Sequence, residues 1–274
     1  MNNKKKKKKY KYFLSILLVC FVLLIIYIVG NSSFNILSVF TSKKFVVENK
    51  NKLLSKAKEK NSSEAEAVSW LSIEGTNIDL PVLKFGNIDS TQPYDVKYDN
   101  YAWLEGYDAY TNHVVVFGHN IRNLSSNPEV GKKYFERFDN LMAFVYYDFA
   151  KDNQFIQYTV DGKDHIYKIF SVYFTNSVTT PEFYTNHLEK EDLDNYTNDL
   201  INKSIYNYNI NKSDVDSLLI LSTCTRFFGD DRESFVIVGY EVKNDKFNKT
   251  NIKKNDIYKD IEKILKGSES DEKI

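Results

Sequence analysis

One thiol stands at the end of an apolar stretch late in the chain. Cys224 closes the run Leu-Leu-Ile-Leu-Ser-Thr-Cys that starts at Leu218, and the only other cysteine in the sequence is Cys20. A thiolate is a strong nucleophile, and the end of a strand is a place where a rigid scaffold presents a side chain to a cleft. The alternative is a small core residue, because free cysteines are often simply buried. We take Cys224 as the candidate nucleophile.

Histidine is the side chain best suited to work beside such a thiol, because it donates and accepts protons near neutral pH. His119 directly follows an apolar run that ends at Gly118, so it is also delivered at a predicted strand end. His113 at the start of that run and His165 beside a turn signal are interpreted as surface residues, and His187 as a loop residue. His119 is therefore the candidate acid and base.

A guanidinium near the thiol would stabilise the negative charge that develops on an acyl oxygen. Arg232 lies eight residues after Cys224, at the entry of the next apolar run. Two antiparallel strands joined by a short loop would bring it beside Cys224. Two alternatives stay open: a salt bridge between Arg232 and a neighbouring acidic side chain, or Arg226 in the same role.

The elements that must position these side chains are interpreted as buried strands. Residues 113–117 form a continuous apolar run, and residues 217–224 and 235–242 predict two further strands. Asp161-Gly162 predicts a two-residue hairpin turn, because a type I′ turn needs positive φ at both positions. Strands dominate between residues 65 and 243, which predicts a mainly β domain that closes into a barrel.

Helical spacing of apolar residues appears outside these strands. Residues 188–206 predict a helix inserted before the cysteine strand, and residues 31–64 predict a helical stalk, with a further short helix from about Glu64. A fourth helix is predicted from about Ile257, with Gly267 as its stop and a disordered tail after it.

The N-terminal segment predicts a membrane anchor. Residues 13–30 carry no charge over 18 positions, and as a helix they would span about 27 Å, close to the thickness of the hydrocarbon core. The lysine-rich segment before them predicts a cytoplasmic N-terminus and an extracellular domain. A cleaved signal peptide is the alternative, but its apolar core is usually shorter, roughly 7–15 residues.

The distribution of charge argues against nucleic acid as a partner. Seven lysines and no acidic residue lie in residues 1–30, so the other 244 residues carry a formal net charge of −7. Phosphate binding needs a basic face, and a domain with a net negative charge is poorly suited to it.

Three segments together resemble the sortase family. Leu221-Ser222-Thr223-Cys224 is similar to its cysteine motif, Gly118-His119-Asn120 to its histidine motif, and Arg232 to the arginine that opens its last core strand. Within the family the chain looks most like class B. Residues 73–82 resemble the class B opening, and residues 169–173, followed by a helix, resemble its insertion.

The resemblance implies an eight-stranded β-barrel and a set of roles. Cys224 would attack the threonine carbonyl of a C-terminal sorting signal, His119 would protonate the leaving amine, and Arg232 would stabilise the oxyanion. An amine acceptor, usually from a peptidoglycan cross-bridge of a Gram-positive cell wall, would resolve the thioacyl-enzyme. Ser222, Thr223 and Tyr184 are implied to line the substrate groove. We expect no cofactor and no metal site.

The predicted organisation follows from these segments. It comprises a cytoplasmic basic segment (1–12), a transmembrane anchor (13–30), N-terminal helices (31–64), a catalytic barrel (65–243) and a C-terminal helix with its tail (244–274). Two other functions stay open: a pilin-polymerising sortase, although no lid segment is evident before the barrel, and a non-catalytic, membrane-anchored surface binding module.

Overall fold

The computed structural model describes residues 65–85, 101–104, 108–131, 138–175, 185, 187–229, 233–243 and 247–271. The predicted basic segment, anchor and stalk lie outside the described residues, as do Tyr184 and Arg232. In the described ranges, no helix combines the length and the apolar character needed to cross a membrane.

Strands dominate the described part of the chain, as predicted. They are β1 (Ala65–Ile73), β2 (Asp79–Phe85), β3 (Ala102–Leu104), β4 (His113–Gly118), β5 (Phe155–Val160), β6 (Lys163–Thr175), β7 (Tyr206–Asn207), β8 (Leu218–Thr225), β9 (Glu233–Glu241) and β10 (Lys253–Lys254). Eight of them close into a barrel in the order β1-β2-β3-β4-β8-β9-β6-β5, while β7 and β10 form a separate ribbon. The predicted eight-stranded barrel is confirmed.

The centre of the barrel is built from the two continuous apolar runs of the sequence. β4 and β8 lie side by side in parallel, and β8 pairs with β9 in the antiparallel direction. Val114, Val115 and Val116 of β4 are almost completely buried, which is expected for a strand covered on both faces. The residues of β8 up to Thr223 are buried as well.

Local turn chemistry sets the β5–β6 hairpin. Asp161 and Gly162 form its two-residue turn with φ values of 49° and 71°. Both angles lie in the left-handed region that a type I′ turn requires, so the predicted hairpin is confirmed.

Three α-helices and two 3₁₀ segments accompany the barrel in the described ranges. They are the 3₁₀ helix Phe138–Val145, α1 (Tyr147–Asp152), α2 (Lys190–Lys203), the 3₁₀ turn Lys212–Asp214 and α3 (Tyr258–Asp271). The inserted helix before the cysteine strand is confirmed as α2, although it is shorter than predicted. Its apolar residues Leu193 and Leu200 are buried in the main core.

Two predicted boundaries were wrong. β1 already begins at Ala65, where a short helix was predicted, because Ala65 pairs with Phe85 of β2. The helix α3 passes through Gly267 and ends at Asp271. A glycine inside a helix costs only about 1 kcal/mol relative to alanine, and here that cost does not end the helix.

His113 was predicted at the surface, but it is almost fully buried. Its Nδ1 lies 2.5 Å from the carbonyl oxygen of Thr185, and its ring lies 5.7 Å from that of Tyr196 on α2. The inserted helix therefore covers the first residue of β4. His187 is exposed, as expected of a loop residue.

A polar cluster near the end of β9 corrects the interpretation of His165 as a surface residue. Nδ1 of His165 lies 2.7 Å from Oε1 of Glu241, and both side chains are mostly buried. Tyr110 donates its hydroxyl to Oε2 of Glu241 at 3.1 Å. Burial acts to raise the pKa of Glu241, but the hydrogen bond and charge of His165, helped by the hydroxyls of Tyr110 and Ser217, hold that pKa below its usual value.

Replacing Glu241 with glutamine is expected to lower the free energy of unfolding by about 1–3 kcal/mol at neutral pH, because a charge-assisted hydrogen bond is lost. A carboxyl whose pKa is lowered by folding stabilises the protein above its unfolded pKa and loses that contribution as the pH falls through the folded value. The difference in melting temperature between the two proteins should therefore narrow as the pH falls below the ordinary value of 4.5. A difference that stays constant would contradict a role for the charge.

Candidate active site

Cys224 and His119 come from neighbouring strands that end at the same edge of the barrel. The parallel ladder between β4 and β8 ends with Phe117 opposite Ser222. His119 lies two residues past the last residue of β4 in this ladder, and Cys224 lies two residues past the last residue of β8 in it. The predicted nucleophile and the predicted acid/base thus follow the paired ends of two adjacent strands, and their direct contact stays a prediction.

The thiol is accessible although its strand is buried. Cys224 is the exposed position in β8, and it is the free cysteine in the described part of the chain. Partial desolvation raises the pKa of the Cys224 thiol above its usual value. A raised pKa lowers the fraction of thiolate, so the thiol depends on a neighbouring group to become an effective nucleophile.

His119 packs against the aromatic side chain of Trp103, a contact that the sequence did not predict. Its ring lies 4.8 Å from the ring of Trp103, at an angle of 48°. Trp103 in turn stacks on Phe117 at 6.3 Å. In the sequence, this strand is visible only as a short apolar triplet, Ala102-Trp103-Leu104. The pairing of β3 with β4, which brings Trp103 next to the histidine, is seen only in the structure.

The loop after His119 is fixed by a buried carboxylate, also missed from the sequence. Asp139, at the start of the 3₁₀ helix, accepts the backbone N–H groups of Ile121 at 2.8 Å and Arg122 at 3.0 Å through Oδ1. Asn123 donates its side-chain amide to the Asp139 carbonyl oxygen at 2.8 Å. These bonds satisfy backbone groups that would be costly to bury alone, so they define the path of the loop.

Gly118 gives the strand end room against the same helix. A Cβ atom at this position would lie 2.6 Å from Cγ of Phe138, whose side chain is fully buried. The glycine therefore permits the 3₁₀ helix to lie directly on the residue before His119.

The turn after Cys224 rests on aromatic side chains. Phe174 of β6 lies about 5 Å from the rings of Phe227 and Phe228. The buried Glu233 accepts the N–H of Phe228 at 3.0 Å, and half of the Phe228 side chain stays exposed. An exposed aromatic side chain thus lies on the turn that follows the cysteine strand.

Of the other predicted site residues, Ser222 and Thr223 lie in the described part of the chain, whereas Tyr184 and Arg232 do not. Ser222 and Thr223 are 4% and 3% exposed, and the Thr223 hydroxyl donates to the carbonyl oxygen of Gly118 at 2.6 Å. Their contact with substrate stays a prediction, as do the roles of Tyr184 and Arg232. Arg226, the rival guanidinium, is exposed, and its backbone N–H donates to the carbonyl oxygen of Leu124 at 3.0 Å.

A thiol and an imidazole that follow the paired ends of two adjacent strands are suited to nucleophilic acyl transfer. In the ranges that the structure describes, no three His, Cys, Asp or Glu side chains are grouped to hold a metal ion. The family model for the sortase domain matches residues 71–242. The chain belongs to the sortase family. Members of this family are cysteine transpeptidases.

Relatives of this sortase carry the class B name. Sortase B of Listeria monocytogenes is 27% identical over 169 residues, which cover 58% of this chain and 63% of that protein. The chain thus spans slightly less than two thirds of that relative. The Staphylococcus aureus sortase B–substrate complex is 17% identical, covers 73% of this chain and 94% of that one, and has a TM-score of 0.53.

A sortase B structure complexed with triglycine is similar to this chain to the same degree. It is 19% identical, covers 76% of this chain and 99% of that one, and also has a TM-score of 0.53. These likenesses confirm the predicted barrel and the predicted resemblance to class B.

Proposed function

We propose that this chain is an extracellular, class B-like sortase that cleaves a C-terminal sorting signal after threonine and transfers the protein to an amine of the cell wall. The observation that carries the proposal is the parallel pairing of β4 with β8, which ends two residues before His119 and two residues before Cys224. Cys224 is exposed near the end of β8, which supports access of an extended peptide to the thiol.

The proposed reaction forms and then breaks a thioester. His119 takes the thiol proton as the Cys224 sulfur attacks the threonine carbonyl carbon. Arg232 stabilises the oxyanion, the C–N bond breaks, and His119 returns its proton to the leaving amine. A second amine then attacks the thioester and gives its proton to His119, which passes it back to the departing sulfur.

The nature of the two substrates is supported by the relatives. The Staphylococcus aureus sortase B was solved with its substrate, and another sortase B with triglycine, a peptide that ends in a primary amine. A peptide donor and an amine acceptor suit the same thiol, because a thioester reacts readily with an amine. The apolar segment 13–30 and its flanking lysines support attachment to the membrane with the barrel outside.

The test is a transfer assay with the full chain in detergent. Quenched peptides that vary around a threonine are incubated with and without an amine acceptor, and the products are identified by mass spectrometry. We expect cleavage after threonine, with the acceptor joined to its carboxyl group. If no threonine-containing peptide is cleaved, or if a methylthiosulfonate reagent on the thiol leaves cleavage unchanged, the chain is not a sortase in function.

Replacing Gly118 with alanine is expected to damage both stability and turnover. The added Cβ would lie 2.6 Å from the ring of Phe138, and overpacking of this kind costs about 1–3 kcal/mol. Because His119 is the next residue, we expect kcat to fall about 10- to 100-fold. Thermal melting and the peptide transfer assay measure the two effects.

Gly267 provides the matched control for this substitution. A Cβ there meets nothing within 4 Å, so Gly267→Ala should leave kcat unchanged and stabilise α3 by about 0.5–1 kcal/mol. Wild-type melting and wild-type kcat in Gly118→Ala would show that Phe138 does not constrain the histidine.

A further inference from the structure

The two strands that carry the reactive pair stay joined beyond the end of their backbone ladder. First, the hydroxyl of Thr223 on β8 donates to the carbonyl oxygen of Gly118 on β4 at 2.6 Å. Next, and in the opposite direction, Nδ2 of Asn120 donates to the carbonyl oxygen of Cys224 at 3.1 Å. The second of these bonds reaches the nucleophilic residue itself.

The amide of Asn120 is used on both of its sides. The side chain is only 5% exposed. Its Oδ1 accepts the N–H of Asn123 at 3.1 Å, and its Nδ2 also donates to the Asn123 carbonyl oxygen at 3.0 Å. A planar amide that both donates and accepts in a buried site has little freedom to rotate. The residue that follows His119 is therefore locked to its own loop and to β8 at once.

We propose that Asn120 is a positioning residue of this sortase: its amide holds the backbone at His119 against the backbone of Cys224 and so sets the distance between imidazole and thiol. The effect of Asn120 on turnover rests on the proposed function. The effect of Asn120 on the distance between imidazole and thiol can be tested without substrate, so it does not depend on the proposed function.

Other contacts of the loop serve a different purpose. Asp139 ties the N–H groups of Ile121 and Arg122 to the 3₁₀ helix, and the N–H of Arg226 reaches the Leu124 carbonyl after β8 has ended. These contacts keep the loop folded when Asn120 is changed. Loss of the Asn120 amide should therefore alter the geometry of the pair more than the fold.

Two variants test the role in turnover. Asn120→Ala removes the amide, while Asn120→Asp keeps its shape and one acceptor but turns an oxygen toward the Cys224 carbonyl oxygen. We expect kcat for transfer to fall about 100-fold in both variants with KM changed less than about threefold, because misplacement of a catalytic group affects the reacting geometry and not peptide binding.

A second measurement needs no substrate. The rate at which iodoacetamide alkylates Cys224 is measured against pH on the full chain, with the modified peptide identified by mass spectrometry. A nearby imidazolium favours the thiolate, so the wild-type profile should contain a step that is lost in His119→Ala. Asn120→Ala is expected to lose the same step. If the wild-type chain shows the step but cleaves no peptide, the proposed function is refuted, while the positioning role of Asn120 is not.

Asn255 offers a matched control away from the site. Its amide also donates to a backbone carbonyl, that of Ser204 at the end of α2, at 2.8 Å. Asn255→Ala should lower the melting temperature and leave both kcat and the alkylation profile unchanged. The proposal is overturned if Asn120→Ala behaves in the same way below its melting temperature, or if the wild-type profile has no step that depends on His119.

Discussion

Replacing Cys224 with alanine is expected to abolish peptide cleavage and transfer, with a loss in kcat/KM of about 10⁴-fold or more. The sulfur is the atom that forms the acyl bond, and alanine offers no group that can replace it. What survives is the rate that binding and oxyanion stabilisation give without a nucleophile. Cleavage of a quenched peptide, followed by fluorescence, measures the loss.

The fold should tolerate this change. Cys224 is exposed at the end of β8, and exposed substitutions usually change the free energy of unfolding by less than about 0.5 kcal/mol. Cys20→Ala is the matched control, because it removes the only other thiol of the chain. It should keep full activity and stay sensitive to a methylthiosulfonate reagent. Transfer of a threonine-containing peptide by Cys224→Ala would refute the assignment of the nucleophile.

The strands that carry the pair could be predicted because their signals are local. Apolar runs at 113–117 and 217–224 correspond to β4 (His113–Gly118) and β8 (Leu218–Thr225) within one residue at each end. A run of consecutive apolar residues without alternation suits a strand buried on both faces. Both candidate side chains could then be placed at strand ends without knowledge of the pairing.

The pairing itself could not be derived from the residues, because it joins segments far apart in the chain. The contact between Thr223 and Gly118 spans 105 positions, and no local pattern specifies a parallel neighbour. The contributions of Trp103, Asn120 and Asp139 all depend on that neighbour. Each is an ordinary residue in its own segment and acquires a role only when β3, β4 and the 3₁₀ helix meet.

The same reason explains the two histidines that were misinterpreted. His113 looked like a polar strand start, but α2 covers it. His165 looked like a residue beside an exposed turn, yet its partner Glu241 lies 76 positions away. Burial of a polar side chain is decided by what packs over it and by whether a partner satisfies its charge, and neither can be seen in the neighbouring sequence.

Arg232→Ala is expected to lower kcat/KM by about 10²- to 10³-fold, the usual cost of removing one donor to a developing oxyanion. Arg232 directly precedes β9, whose first residues Glu233 and Ser234 pair with Thr225 and Cys224. A residue next to those pairs along the chain is the natural candidate to reach the thiol. Arg232→Lys should recover only part of the loss, because an ammonium lacks the planar, two-pronged donor geometry of a guanidinium.

Arg226→Ala is the matched control for this prediction, because it removes the same group from the other side of the turn. The Arg226 side chain is exposed, while its backbone N–H secures the loop after His119, and alanine keeps that N–H. We therefore expect kcat/KM in Arg226→Ala to stay within about threefold of wild type, as is usual for exposed residues outside the reacting groups. If kcat/KM falls in Arg226→Ala and not in Arg232→Ala, the guanidinium of Arg226, which follows β8, stabilises the oxyanion. If both variants keep wild-type turnover, neither guanidinium is required to stabilise the oxyanion.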